Sequence, residues 1–189
     1  SGSYGTLTVL TELSIKVLPK SESSKTLIIN NPFLKKAIEY LGIALSSSTD
    51  PSGGAFYPER FENNFVFNDL THKGALTAIR IEGPTNSVDQ RISRLVKELS
   101  LLENEYSVLD NFQTDLFWSK TRNLEVFSNL KNNLLKVIVP VSETLNVIQK
   151  LKKYEINYFL DWGGNLIWLE LETISLKILR EIKEITQEH

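Results

Sequence analysis

The side chains singled out as able to do chemistry in this sequence are two arginines, one aspartate at a turn, one tyrosine shortly after a glycine pair and two histidines. Arg80 and Arg122 are suited to a carboxylate, because a planar guanidinium donates two parallel N–H groups to its two oxygens. For each, the competing reading is a structural salt bridge. Asp161-Trp162 precedes Gly163-Gly164-Asn165, and reads either as the lining of a pocket or as a turn aspartate beside a packing indole. Tyr57 follows Gly53-Gly54 and is a pocket candidate, with surface exposure as the alternative. His72 is the one candidate acid/base among the histidines, but its Thr71-His72-Lys73 setting reads as a solvated side chain. With His189 it makes no metal site, since two isolated imidazoles without cysteine fall short of a ligand set. At the other end, Gly2-Ser3-Tyr4-Gly5-Thr6 has glycines that let backbone pass close to something bulky. No Walker or Rossmann fingerprint is present.

Composition bounds what these residues can serve. The 189 residues are 41% hydrophobic, enough for one domain with a real core. Lys and Arg number 21 against 23 Asp and Glu, so the net charge of −2 gives no global signal for nucleic acid or an anionic membrane. The absence of cysteine excludes disulfides, thiol catalysis and iron–sulfur ligation by this chain. No apolar run is long enough to span a bilayer and no signal peptide is visible, which predicts a cytoplasmic protein; a peripheral seat at the inner membrane stays open.

The elements that must position these residues follow from periodicity. Leu7, Val9, Thr11, Leu13, Ile15 and Val17 alternate with mostly polar neighbours and predict a half-buried opening strand. Thr26 to Ile29 predicts a second strand, antiparallel to it. A helix is expected from Asn31-Pro32 to about Leu45, then a turn-rich stretch from Ser46 to Gly54, with an irregular excursion from Glu59 to His72. Gly74 to Gly83 is a strand, and Thr85 or Asn86 caps a helix carrying Val88, Ile92, Leu95, Val96 and Leu99. Tyr106 to Leu109 is a short strand and Asp115 to Arg122 a short helix. Leu134 to Pro140 is a core strand before a helix opened by Ser142. Tyr158 to Trp162 and Leu166 to Leu171 form a hairpin across Gly163-Gly164-Asn165, and a last helix uses Ile174, Ile178, Ile182 and Ile185, with Lys177 pairing to Glu181. The mixture predicts an α+β fold: an antiparallel sheet covered on one face by helices. A β-α-β pseudo-repeat centred on 75–102 and 134–153 is a further expectation.

The opening run, with Leu7, Val9-Leu10-Thr11-Glu12 and Lys16-Val17-Leu18-Pro19 behind it, resembles the signature that closes the FAD-binding domain in vanillyl-alcohol-oxidase type flavoproteins. It is most similar to the FAD-binding subunit of bacterial glycolate oxidase. Thr8 stands where that family usually has a second glycine. Four later stretches are also similar: Asp50 to Pro58, in which Phe56 replaces a frequent histidine; Ile79-Arg80-Ile81-Glu82-Gly83; Phe117-Trp118 with Arg122; and Asp161-Trp162-Gly163-Gly164 followed by Leu166 to Leu169. Each motif alone is weak, and their order is the more specific signal.

The resemblance implies that residues 1–19 end an FAD-binding domain and residues 20–189 form a C-terminal cap or substrate domain. With no methionine in the sequence, it implies the C-terminal part of a longer subunit; Ser1-Gly2-Ser3 read as a cloning remnant is the alternative. It places Gly2, Ser3, Gly5, Thr6 and Val9 along FAD in the intact subunit, a cofactor this segment alone is not expected to retain. Tyr57, Arg122, Asp161 and Trp162 become substrate-pocket candidates. The implied reaction oxidises glycolate or a related small 2-hydroxy acid to the 2-oxo acid, with electrons passing through flavin to other glycolate oxidase subunits, a separate iron–sulfur subunit among them. The rival reading is a non-catalytic α+β domain for subunit contact or small-ligand sensing, suggested by Phe61, Phe65, Phe67 and Trp118 in polar settings.

Overall fold

The computed structural model describes residues 5–17, 19–30, 32–59, 74–127, 133–154 and 156–187. Gly2, Ser3, His72, His189, Phe61, Phe65 and Phe67, all singled out above, lie outside the described residues. In chain order the elements are β1 (Ser23–Asn30), α1 (Leu34–Ser46), β2 (Gly53–Tyr57), β3 (Leu76–Gly83), α2 (Thr85–Glu98) and β4 (Tyr106–Leu109). There follow α3 (Asn111–Arg122), β5 (Asn133–Ile138), α4 (Val141–Leu151), β6 (Asn157–Asp161), β7 (Leu166–Leu171) and α5 (Leu176–Gln187).

The strands form one seven-stranded antiparallel sheet, ordered β4-β1-β3-β2-β6-β7-β5. Strand side chains alternate between the two faces. Leu27, Ile29, Ile79, Ile81, Phe56, Leu160, Ile167 and Leu169 point one way and pack with Leu41, Val88, Leu95, Ile148 and Ile182 of α1, α2, α4 and α5. Ile28, Ala55, Tyr57, Ala78 and Phe159 point the other way, where Phe117 of α3 joins them in a smaller cluster. Four helices therefore cover one face, while among the described residues the other carries α3 near β1, with Val126 and Phe127 packed in the same cluster. The α+β expectation holds.

Element order reveals a repeat. β1-α1-β2-β3-α2 and β5-α4-β6-β7-α5 follow the same order of strands and helices, and β2 meets β6 at the seam through the single pairing Phe56 with Leu160. In this repeat β3-α2 corresponds to β7-α5, and β1-α1 to β5-α4. The expected equivalence of 75–102 with 134–153 is thus shifted by one unit.

Other expectations are corrected. Residues 7–17 form no strand and are exposed throughout, Leu7 by 83% and Val9 by 86%. Alternation supplies an apolar face, but a strand also needs a neighbour for its N–H and C=O groups, and β1 is already paired on both sides, by β3 and β4. Gly53 to Tyr57 belongs to a strand, not to the preceding loop. The helix starts at Thr85 and Ser142 have prolines, Pro84 and Pro140, at the cap positions, with no side-chain cap. Glu181 pairs with Lys153 and Tyr154 rather than Lys177. Among the described residues no helix is long and apolar enough to cross a membrane.

Candidate functional site

The face that carries α3 has a cleft of about 610 Å³ over the seam between the two halves. From the first half come Ser52, Gly53 and, on β3, Arg80, while Trp118 and Arg122 come from α3, which lies between the two repeats in sequence. From the second come Asp161 and Trp162 after β6, Lys136 on β5 and Trp168 on β7.

Local chemistry puts each side chain there. The helix α3 opens with a reciprocal cap, in which Asp110 accepts from the Gln113 backbone N–H while the Gln113 side chain accepts from the Asp110 N–H. Its Trp118 is fixed by a hydrogen bond from Nε1 to Thr26 Oγ1 at 2.9 Å. The indole lies against β2 because Gly53 has no Cβ, which would sit 3.2 Å from the ring. Arg80 stacks on that indole, 5.0 Å from the ring centre, and is occupied on its other side by Glu82 at 3.3 Å and Ser52 Oγ at 3.0 Å. Arg91 holds the loop that supplies Ser52, donating to the carbonyls of Thr49, Asp50 and Glu82.

On the other wall, β5 and β7 pair Lys136 with Trp168, and β7 and β6 pair Trp168 with Phe159. Lys136 Nζ is 4.6 Å from the Trp162 ring centre and 5.9 Å from that of Trp168. Cation–π attraction holds the ammonium between two indoles without neutralising it. Among the described residues, neither Lys136 nor Arg122 forms an ion pair. Arg80 is therefore already satisfied, and among the described residues the cleft cations outside any ion pair are Lys136 and Arg122.

The turn after β6 is left-handed at three consecutive residues: Trp162 at φ 51°, Gly163 at φ 66° and Gly164 at φ 102°. The two glycines suit this, and a Cβ on Gly163 would fall 2.0 Å from Leu45 Cδ1. Trp162 does not suit it, since a Cβ in this region meets the backbone. Asp161 Oδ1 accepts from the Trp162 N–H at 2.7 Å, and the indole stands out into the cleft, 53% exposed. Burial pushes the Asp161 carboxyl above its ordinary value; the Trp162 N–H and the charges of Arg80 and Lys136 oppose that shift without cancelling it.

Three of the four pocket candidates meet in the cleft: Arg122, Asp161 and Trp162. Tyr57 does not line it. It is 1% exposed, stacked on Phe159 with ring centres 4.9 Å apart, and donates to Thr121 Oγ1 at 2.7 Å. Burial, only partly countered by that hydrogen bond, raises its phenol well above the usual value, and the nearby Asp161 charge adds to the shift. Trp118, considered above for a subunit interface, is half-buried in the cleft wall. Gly5, Thr6 and Val9 are exposed and belong to no strand. Sequence reasoning missed Lys136, whose signal was a lone cation inside the apolar run Leu134 to Val139. No group of three or more metal-ligating side chains occurs among the described residues.

No family model and no curated protein matches the sequence. Solved structures do match the fold. One is an alkyldihydroxyacetonephosphate synthase, at 13% identity and a TM-score of 0.57 over 89% of this chain and 39% of that one. A second is p-cresol methylhydroxylase with substrate bound, at 12% identity and 0.56 over 90% and 43%. A third is the 4-ethylphenol oxidase from Gulosibacter chungangensis in its isoeugenol complex, at 10% identity and 0.55 over 90% and 44%. The chain shares its fold with part of each of those three proteins. At these identities the likeness concerns the fold alone, and the chain spans less than half the length of each of those chains.

Proposed function

We propose that this chain is the substrate-side cap domain of an FAD-linked oxidoreductase, with residues 20–189 as the cap and residues 1–19 closing an FAD-binding domain. The observation that carries this reading is the cleft on the sheet face that carries α3, where Lys136, Arg122, Asp161 and Trp162 converge. Its substrate is glycolate or a related 2-hydroxy acid, which leaves as the 2-oxo acid.

The residues near the amino end are compatible with FAD at one point that can be inspected. Gly5 is at φ 76°, with nothing within 4 Å of where its Cβ would stand, so the turn has open room beside it. Gly2, Ser3, Gly5, Thr6 and Val9 are the positions that would lie along the dinucleotide in the intact subunit. Bound FAD supplies the two-electron acceptor. Lys136 and Arg122 hold the substrate carboxylate by charge-assisted hydrogen bonds. Asp161, as carboxylate, takes the hydroxyl proton, and its raised pKa brings its basicity closer to that task. The indoles of Trp118, Trp162 and Trp168 keep water from the reacting carbon. Electrons then pass to partner subunits, a separate iron–sulfur subunit among them, because a chain without cysteine cannot ligate such a cluster by thiolate.

The test is a visible absorption spectrum of the intact subunit, followed by glycolate without oxygen. A flavin band that bleaches supports the reading. Absence of flavin contradicts it, and a flavin left oxidised by glycolate and D-lactate contradicts the substrate class.

A further inference from the structure

All three tryptophans of the sequence, Trp118, Trp162 and Trp168, line the one cleft. Two of them have structural duties, since Trp118 bonds Thr26 and Trp168 is paired within the sheet. Trp162 has little: its ring is half exposed and its backbone is held left-handed, where glycine or asparagine would sit without strain. A large side chain kept at such a position marks a functional constraint. The cleft, at about 610 Å³, is also of the size that takes a drug-sized ligand, far larger than a two-carbon acid.

We infer that the cleft of this chain binds a 2-hydroxy acid bearing a flat aromatic ring. The carboxylate sits at Lys136 and Arg122, and the ring lies against the indoles, Trp162 foremost. This rests on the 2-hydroxy-acid reading above and narrows it from small acids to aryl-substituted ones. The chemistry divides cleanly. An ammonium and a guanidinium that form no ion pair among the described residues call for an anion, and indole faces and edges take another aromatic ring in offset or edge-to-face contact. Aspartate at 161 admits the hydroxyl as a hydrogen-bond donor.

Because the tryptophans are confined to the cleft, intrinsic fluorescence excited at the indole edge reports on it alone. The 189-residue chain is titrated with mandelate, glycolate and benzyl alcohol, and again after Trp162→Gly. The expected result is saturable quenching by mandelate, with a Kd at least tenfold below those of glycolate and benzyl alcohol. Trp162→Gly removes most of the preference for mandelate over glycolate while the chain's circular-dichroism melt is kept. Equal affinity for mandelate and glycolate overturns the aromatic assignment and leaves the 2-hydroxy-acid reading standing. Benzyl alcohol binding as tightly as mandelate overturns the carboxylate site, and with it both readings. No binding of any probe overturns both as well.

Discussion

Lys136 Nζ lies 4.6 Å from the centre of the Trp162 ring and 5.9 Å from that of Trp168, so two indoles share one ammonium on the face of the sheet that carries α3. A surface lysine normally keeps its charge in water at the end of a flexible stem. Here the strand pairing of Lys136 with Trp168 and the turn that projects Trp162 fix where the charge stands. Arg122 and Trp118 reach the same cleft from α3 on the other side.

Lys136→Gln removes the charge and keeps a polar side chain one atom shorter. A lost charge-assisted hydrogen bond is worth about 1.5–3 kcal/mol, so KM for the acid is expected to rise by roughly tenfold or more with kcat little changed. Steady-state kinetics of the intact enzyme check this. An unchanged KM removes Lys136 from the carboxylate site.

Trp162→Asn separates strain from function. Asparagine tolerates φ near 51°, so relief of about 1 kcal/mol of backbone strain offsets the lost packing of a half-exposed ring. The melting temperature is expected to hold or rise while ligand affinity falls. A clear drop in melting temperature assigns Trp162 to the fold instead.

Asp161 ties stability to pH with a definite sign. Its folded-state pKa lies above the ordinary 3.8, so between that value and the raised one the folded chain binds more protons than the unfolded chain. Stability contributed by this group is therefore present at low pH and lost as pH rises through the window. Asp161→Asn, which retains an acceptor for the Trp162 N–H, is expected to flatten that fall. Melting curves of both proteins from about pH 3.5 upward provide the comparison; parallel curves argue against a raised carboxyl.

Tyr57→Phe addresses the layer beneath the cleft. Thr121 still donates to the Phe117 carbonyl at 3.0 Å, and the hydrogen bond from the tyrosine hydroxyl to Thr121 is removed. The cost is about 1 kcal/mol of stability, read from denaturant midpoints, with no change in ligand affinity. A selective loss of affinity returns Tyr57 to the pocket.

Much of the fold was legible because its signals are local. Val88, Ile92, Leu95 and Leu99 recur at helical spacing and are all buried. Gly163-Gly164-Asn165 between two apolar runs specified the β6–β7 hairpin, and both glycines are left-handed. Residues 7–17 misled because alternation describes one face of a strand and says nothing of the hydrogen-bonding neighbour. In the site, Asp161 and Trp162 stood out by sitting at a turn. Arg80 stood out by its type, yet Glu82 two residues on shares its face of the strand and pairs with it. Lys136 was hidden because its role comes from register with Trp168 on β7, a relationship between distant segments.

The most direct test of the cleft as a substrate site is the anaerobic rate of flavin bleaching in the intact subunit as a function of 2-hydroxy-acid concentration, wild type against Lys136→Gln. The account predicts saturable bleaching in the wild type and half-saturation shifted upward by at least about tenfold in the variant, the size of one charge-assisted bond. Identical concentration dependence in the two proteins, or a flavin that no 2-hydroxy acid reduces, would contradict it.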